Sequence, residues 1–133
     1  MIISKSQAEI QTMARAGAIV ADTLALLKEH IAPGITTGEL DEVAEEFIRS
    51  RGGVPTFKGY KGYPAATCLS PNSMVVHGSP GRKHLEDGDN LSVDAGVTVE
   101  GYGPESAWLF HVGTRQPAAP ARPVACTAAR EAA

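Results

Sequence analysis

Cysteine is scarce in this sequence, and its two cysteines, Cys68 and Cys126, lie far apart. They form neither a Cys-x-x-Cys pair nor the dense spacing of a disulfide framework, so reduced thiols are expected. No apolar run is long enough to cross a bilayer. Lys5, Glu9 and their polar neighbours interrupt the N-terminus, which argues against a secretory signal. We therefore expect a cytoplasmic protein with no membrane partner.

Charge of one sign is not concentrated anywhere along the chain. The 12 basic and 15 acidic residues are dispersed and leave a net charge of -3, so nothing favours nucleic acid as a partner. The 133 residues are 43% hydrophobic, which is the composition of an ordinary globular protein. A chain of this length is expected to form one domain with a buried core.

Two capping boxes, each with the pattern Ser/Thr-x-x-Glu, predict where two helices begin. The first joins Ser6 to Glu9 and the second joins Thr36 to Glu39, and apolar residues recur at helical spacing after each. Pro-Gly at 33–34 and Gly-Gly at 52–53 are the expected ends of these helices.

From residue 54 onward, Gly and Pro are frequent and β-branched residues occur in short runs, which is typical of strands. The segment from Asn90 to Glu100 alternates, with apolar residues on one face and Asp94 on the other. Helices followed by strands predict an α+β fold, with two helices packed on one face of an antiparallel sheet. The candidate strands are Ala65–Ser70, Ser73–His77, Asn90–Glu100 and Glu105–Val112.

The chain divides in composition near Gly113. Residues 1–113 are predicted to form the folded domain, whereas 114–133 are rich in Pro and Ala and are predicted to be a linker or tail. Val124 to Ala133 is Ala-rich enough to begin a helix, although ten residues are marginally stable as a helix alone in water.

Asp94 and Glu105 are the most informative candidates for chemistry. They lie on consecutive predicted strands joined by a Gly-rich turn, so a hairpin would bring them close together. Two facing carboxylates repel each other unless a cation or a proton lies between them, which favours a divalent metal site. In the alternative interpretation, each carboxylate faces solvent or a nearby lysine.

Other candidate residues carry weaker signals. His77 ends an apolar run and precedes a turn, a position that also suits a hydrogen-bonded histidine at the rim of a core. Tyr60, Tyr63, Cys68 and Trp108 are candidates for the wall of a pocket that accepts an unbranched thioether side chain. Ordinary core packing is the alternative for all four.

Three linked segments resemble the type I methionine aminopeptidases: Phe57 to Asn72, Val75 to Pro80, and Gly88 to Val97. The resemblance extends from about residue 2 to Gly113 and more weakly through Val124 to Ala132. It implies a pita-bread fold, in which two pseudo-symmetric α+β halves surround a site for two divalent metal ions. It also implies removal of the N-terminal methionine from nascent polypeptides, with Co, Mn, Fe, Zn or Ni as the metal.

The resemblance assigns roles residue by residue. Asp94 matches the first bridging carboxylate ligand, and Glu105 stands where the family has its second aspartate ligand. His77 matches the histidine that hydrogen-bonds substrate near the scissile bond, which makes it the catalytic candidate as well as a substrate-binding one. Tyr63 and Cys68 match positions that line the methionine pocket. Tyr60, in the same motif, is included as a substrate-binding candidate.

Two departures from the family pattern bear on activity. Glu105 is one methylene longer than the family's aspartate, and small displacements at a catalytic group are costly. The family's other ligands, one histidine and two glutamates, belong to the second half of the fold. The resemblance therefore predicts a truncated methionine aminopeptidase that holds metal weakly and has little or no activity alone.

Three alternatives follow from this truncation. The chain is active only with a partner, through self-association or a second-half chain; it is a non-catalytic peptide-binding module; or it is a remnant without a function of its own. A half-fold also exposes the face that a second half would cover, which predicts a tendency to associate.

Overall fold

The computed structural model describes residues 3–114, and the predicted tail and helix start beyond Thr114 lie outside them. The described chain contains two α-helices, a short 3-10 turn at Tyr60–Gly62 and a small sheet. The elements are α1 (Gln7–His30), α2 (Thr37–Ser50), β1 (Val54–Pro55), β2 (Thr67–Pro71), β3 (Asn90–Thr98) and β4 (Glu105–His111).

Both predicted capping boxes are present and begin the two helices. The backbone amide of Glu9 donates to Ser6 Oγ at 3.3 Å, and the amide of Ser6 donates to the Glu9 carboxylate at 2.6 Å. Thr36 and Glu39 make the same reciprocal pair, at 3.1 and 2.8 Å. These bonds satisfy amides that lack a partner within the helix, so each helix starts where its sequence indicates.

Replacing Thr36 with alanine should lower the free energy of unfolding by about 1 kcal/mol, because the cap of α2 loses its side-chain acceptor. Urea unfolding followed by circular dichroism measures this loss. Ser73→Ala, at an exposed loop position, is the control and should change stability by less than about 0.5 kcal/mol. Equal effects of the two substitutions would contradict the capping role.

β3 is the central strand of an antiparallel sheet. β4 pairs with it along one side, and β2 and then β1 pair with it along the other. Asp94 stands between Cys68 of β2 and Ala107 of β4. The prediction of two helices on an antiparallel sheet is confirmed.

The core lies between the helices and one face of the sheet. The alternation predicted for β3 is observed, because its apolar residues at odd positions from 91 to 97 are buried. The other face carries Cys68, Ser92, Asp94, Glu105 and Ala107, and we call it the open face because α1 and α2 pack on the opposite side. The largest fully buried core residues include Leu24, Leu27, Leu40, Ile48, Leu69, Leu91, Val93 and Val97.

α1 is long and apolar enough to cross a membrane by length and composition alone. Its buried residues, among them Leu24 and Leu27, are nevertheless part of the same core cluster as those of α2 and the sheet. A helix that contributes one side to a protein core can be as long and as apolar as a membrane span, and the buried residues of α1 form such a side.

The prediction of a strand at Ser73–His77 is wrong. The chain turns after Pro71, and Asn72 and His77 have left-handed backbone, with φ of 53° and 60°. The backbone amide of Leu69 instead pairs with the carbonyl of Gly78 at 2.8 Å. The valines that suggested a strand therefore lie on an exposed loop, because the strand pairing is taken by the residue that follows the loop.

Candidate functional site

The strand register places Asp94 and Glu105 on the open face of the sheet. Asp94 pairs with Ala107, and Glu105 pairs with Gly96, so the two carboxylates are diagonal neighbours two residues apart in register. Diagonal neighbours are about 7–8 Å apart at Cα, which long side chains can span. The predicted hairpin is therefore present, and its two acidic side chains point to the same side.

Asp94 is held in an environment that disfavours its charge. Its Oδ1 is buried and has no hydrogen-bond partner within the described part of the chain. Burial, and then the nearby charge of Glu105, raise the pKa of Asp94 to about 6, while His77 opposes them. A carboxylate that is partly desolvated beside a second carboxylate is stabilised by a proton or a cation between them.

These two carboxylates suit part of a metal site. Their oxygens are the ligands that hard divalent cations prefer, and the unpartnered Oδ1 of Asp94 has a free lone pair to offer. Among residues 3–114, however, no group of three or more His, Cys, Asp or Glu side chains is placed to hold a metal. The described residues therefore fit two ligands of a site, and further ligands would have to come from elsewhere.

Cys68 and Tyr63 lie beside the carboxylates. Cys68 is the cross-strand neighbour of Asp94 and is buried. The Tyr63 hydroxyl lies 2.9 Å from the carbonyl oxygen of Thr67 and 3.2 Å from that of Gly78. Burial raises the pKa of the Cys68 thiol and the pKa of the Tyr63 phenol, so both are neutral at physiological pH. The sequence-predicted pocket residues Tyr63 and Cys68 are thus neighbours on the carboxylate side of the sheet.

The segment before the 3-10 turn closes one end of the open face. A Cβ atom at Gly96 would lie 3.1 Å from both Phe57 Cε1 and Thr56 Cβ. Because Gly96 has no Cβ atom, the Phe57 ring packs directly against β3. Gly96 lies on the same face of the strand as Asp94, two residues further along. No local signal in the sequence indicates this contact of Gly96, because the residues around it do not show which segment crosses the strand.

The other predicted site residues occupy different places. His77 is exposed in the loop after β2 and acts electrostatically on Asp94. Tyr60 is 66% exposed, with the Lys61 ammonium 5.4 Å from the centre of its ring. Trp108 pairs with Val93, so it lies on the helix side of the sheet. The suggestion that Trp108 walls the same pocket is wrong, because its strand position has the opposite parity to Glu105.

Asp41, on α2, is a polar residue that sequence analysis missed. Its Oδ1 accepts hydrogen bonds from the backbone amide of Thr67 at 2.8 Å and from Thr67 Oγ1 at 2.6 Å. Its Oδ2 lies 3.3 Å from the amide of Ala66. An acidic residue in an amphipathic helix looks in sequence like part of a solvated surface, and only the packing of α2 against β2 reveals this role.

The sequence model of metallopeptidase family M24 matches residues 11–133 of this chain. Methionine aminopeptidase of Clostridium perfringens is 51% identical over 113 residues, which are 85% of this chain and 45% of that protein. Methionine aminopeptidase 1 of Bacillus subtilis is 50% identical over 113 residues, 85% of this chain and 46% of the relative.

Solved structures give the same pattern. The methionine aminopeptidase of Thermotoga maritima superposes with a TM-score of 0.84 at 37% identity, covering 88% of this chain and 47% of that one. The prolidase of Pyrococcus furiosus shares the fold, with a TM-score of 0.73 at 22% identity. The superposition covers 83% of this chain and 31% of the prolidase. The chain spans about half the length of the curated relatives it matches.

Proposed function

This chain belongs to metallopeptidase family M24, and from that premise we propose that it supplies the first half of a metal-dependent site that removes N-terminal methionine from new polypeptides. Its two helices on an antiparallel sheet form half of the pita-bread fold of that family. The observation that carries the proposal is the pair on the open face, where Glu105 is the diagonal neighbour of Asp94 and the buried Oδ1 of Asp94 has no hydrogen-bond partner among residues 3–114.

Asp94 and Glu105 are the residues that would hold divalent metal ions. When bound, such ions supply Lewis-acid polarisation of a carbonyl group and a water-derived nucleophile at neutral pH. Carboxylate oxygens accept Mn²⁺, Fe²⁺, Co²⁺, Ni²⁺ and Zn²⁺, so this pair does not by itself select one metal. The reaction would then occur on the side of the sheet away from the helices.

Tyr63, Cys68 and His77 would bind the substrate. The buried, neutral Cys68 next to Asp94 and the ring of Tyr63 offer soft and aromatic contacts for the unbranched thioether side chain of methionine. His77 is exposed and lies close enough to Asp94 to lower its pKa, and it would hydrogen-bond a peptide beside the carboxylates. Tyr60 would contact the substrate from the rim of the site.

Two ligands hold a metal ion weakly, because most of the coordination sphere remains water. We therefore infer that full affinity and turnover need ligands from polypeptide beyond residues 3–114. The substrate would be the N-terminus of a nascent polypeptide, and the expected location is the cytoplasm. The buried free thiol of Cys68 is in keeping with a reducing compartment.

Titration of the full chain with Mn²⁺, followed by amide NMR spectra, tests the metal assignment. Paramagnetic broadening should begin at the amides of Cys68, Asp94 and Ala107, which surround the carboxylate pair. Glu46→Gln, which removes an exposed acid from α2, should leave this pattern unchanged. Broadening centred on α2, with the β3 amides still sharp, would contradict the site.

The same samples should be incubated with a Met-Ala-Ser peptide and Mn²⁺ or Co²⁺. Little or no methionine is expected to be released, because two carboxylates do not complete the coordination of a catalytic metal. Turnover of about 1 s⁻¹ or faster, the range of ordinary enzymes, would show that the chain alone forms a complete site and would overturn the half-site proposal.

A further inference from the structure

We propose that Asp41 is a positioning residue that holds β2 in place and thereby sets the distance between the Tyr63–Cys68 wall and the carboxylate pair. This inference rests on the proposed function, since the wall matters only if a substrate side chain binds there. Asp41 lies on α2, on the helix side of the sheet, and its hydrogen-bond partners among residues 3–114 are Ala66 and Thr67, not the proposed metal ligands.

The three donors that converge on Asp41 belong to Thr67, the first residue of β2, and to Ala66, which precedes it. Two are backbone amides, of Ala66 and Thr67, and the third is the Thr67 hydroxyl. Thr67 is completely buried, so these donors have no access to water as a substitute. A carboxylate suits them because it accepts at both oxygens, whereas an asparagine side chain would turn a donating NH₂ group toward one of the donors.

The hydrogen bonds continue from Thr67 toward the pocket. The Tyr63 hydroxyl reaches the carbonyl oxygens of Thr67 and Gly78, and the Gly78 carbonyl also accepts from the Leu69 amide. Ser70 Oγ in turn accepts from the Gly78 amide at 3.0 Å. The chain of contacts that starts at Asp41 therefore ends at the residue next to His77.

This network acts on the pocket wall and not on the carboxylates. Cys68 follows Thr67 directly and stands opposite Asp94, so a shift of β2 moves the Cys68 side chain relative to that carboxylate. Asp94 and Glu105 are held by the separate pairing of β3 with β4. Loss of the Asp41 contacts should thus increase the distance between the Tyr63–Cys68 wall and the carboxylate pair, while the two metal ligands stay in place.

A purely structural role for Asp41 would give a different result. If the carboxylate only stabilised the fold, its removal would expose all buried groups in proportion to the overall loss of stability. If it positions β2, its removal would expose Cys68 more than the loss of overall stability accounts for. Labelling of the Cys68 thiol by N-ethylmaleimide distinguishes the two cases, in a Cys126→Ser background so that only Cys68 reacts.

The experiment compares three variants of the full chain over a range of pH. Besides burial, the charge of Asp41 contributes to the raised pKa of the Cys68 thiol, so its loss would by itself speed labelling at a fixed pH. The rates compared are therefore those of the thiolate, obtained from the pH dependence. Asp41→Asn should label Cys68 about tenfold faster or more, because a lost charge-assisted hydrogen bond raises the population of the locally opened strand. Glu42→Gln, the exposed neighbour on the same helix, should label within about twofold of the parent, as surface changes usually have small effects. Val43 is partly buried against the core, so Val43→Ala lowers stability without removing a contact of Asp41. Urea is added to the more stable of the two variants, Asp41→Asn or Val43→Ala, until their free energies of unfolding are equal.

Equal labelling of Asp41→Asn and Val43→Ala at equal stability would overturn the proposal. The Mn²⁺ broadening of the Asp94 and Ala107 amides should persist in Asp41→Asn, since β3 and β4 are untouched; its loss would also overturn the proposal. If the parent chain itself shows no broadening there, the metal assignment fails, whereas the labelling comparison still reports on Asp41 independently.

Discussion

Replacing Asp94 with asparagine should stabilise the metal-free chain at neutral pH by about 1–2 kcal/mol. The pKa of Asp94 is raised from 3.8 to about 6 by burial and by Glu105, so the fold favours its protonated form. A shift of this size corresponds to at most about 3 kcal/mol, and partial exposure to solvent lowers that figure. Asparagine has the same shape and no charge, so it removes the cost of ionisation.

The pH dependence of this effect has a definite sign. Because the pKa is higher in the folded chain than in the unfolded chain, the contribution of Asp94 is most favourable below about pH 4 and is lost as the pH rises through about 6. Urea unfolding at pH 4 and pH 7 should therefore separate the parent from Asp94→Asn only at the higher pH. Glu46→Gln should show no such difference. An asparagine variant that is less stable than the parent at pH 7 would contradict the charge argument.

The same substitution should remove the response to divalent cations. On the proposed assignment, Mn²⁺ would bind the folded parent at the carboxylate pair and stabilise it by mass action, to an extent set by the ratio of metal concentration to Kd. Asp94→Asn leaves only Glu105 and should show no shift in the unfolding midpoint on addition of Mn²⁺. Stabilisation by Mn²⁺ that survives the substitution would place the cation elsewhere on the molecule.

Replacing Gly78 with alanine should cost about 3 kcal/mol or more of stability. A Cβ atom at this position would collide with the carbonyl oxygen of Leu69 and would lie 2.7 Å from both the carbonyl carbon of Leu69 and the sulfur of Met74. The backbone cannot move away without breaking the hydrogen bond from the Leu69 amide to the Gly78 carbonyl. Overpacking against backbone is among the more destabilising single changes.

Gly17→Ala is the matched control for this prediction. Gly17 lies within α1 and no atom would lie within 4 Å of its new Cβ, so the change should stabilise the helix by about 0.5–1 kcal/mol. Thermal melts and urea titrations of both variants measure the two effects, which should have opposite signs. A Gly78→Ala protein as stable as the parent would mean that the loop after β2 does not return closely to that strand.

Local signals in the sequence were sufficient for much of the fold. Each capping box lies within four residues, so Ser6 and Thr36 predicted the helix starts without knowledge of the rest of the chain. The alternation from Asn90 to Thr98 set which side chains of β3 face the core. Placing Asp94 and Glu105 on one face required both the β3–β4 hairpin and its register, because a slip of one residue would turn Glu105 to the opposite face.

The sequence by itself thus determined the helix starts, the buried face of β3 and the hairpin of β3 with β4, since all depend on neighbours along the chain. Only the tertiary structure decided that Ser73–His77 is a loop, that Trp108 faces the helices, and that Asp41 holds the start of β2. Each of these depends on contacts between distant segments, such as Leu69 with Gly78 or Asp41 with Thr67. Propensity and periodicity carry no information about such contacts, because they describe a residue's own segment and not the one packed against it.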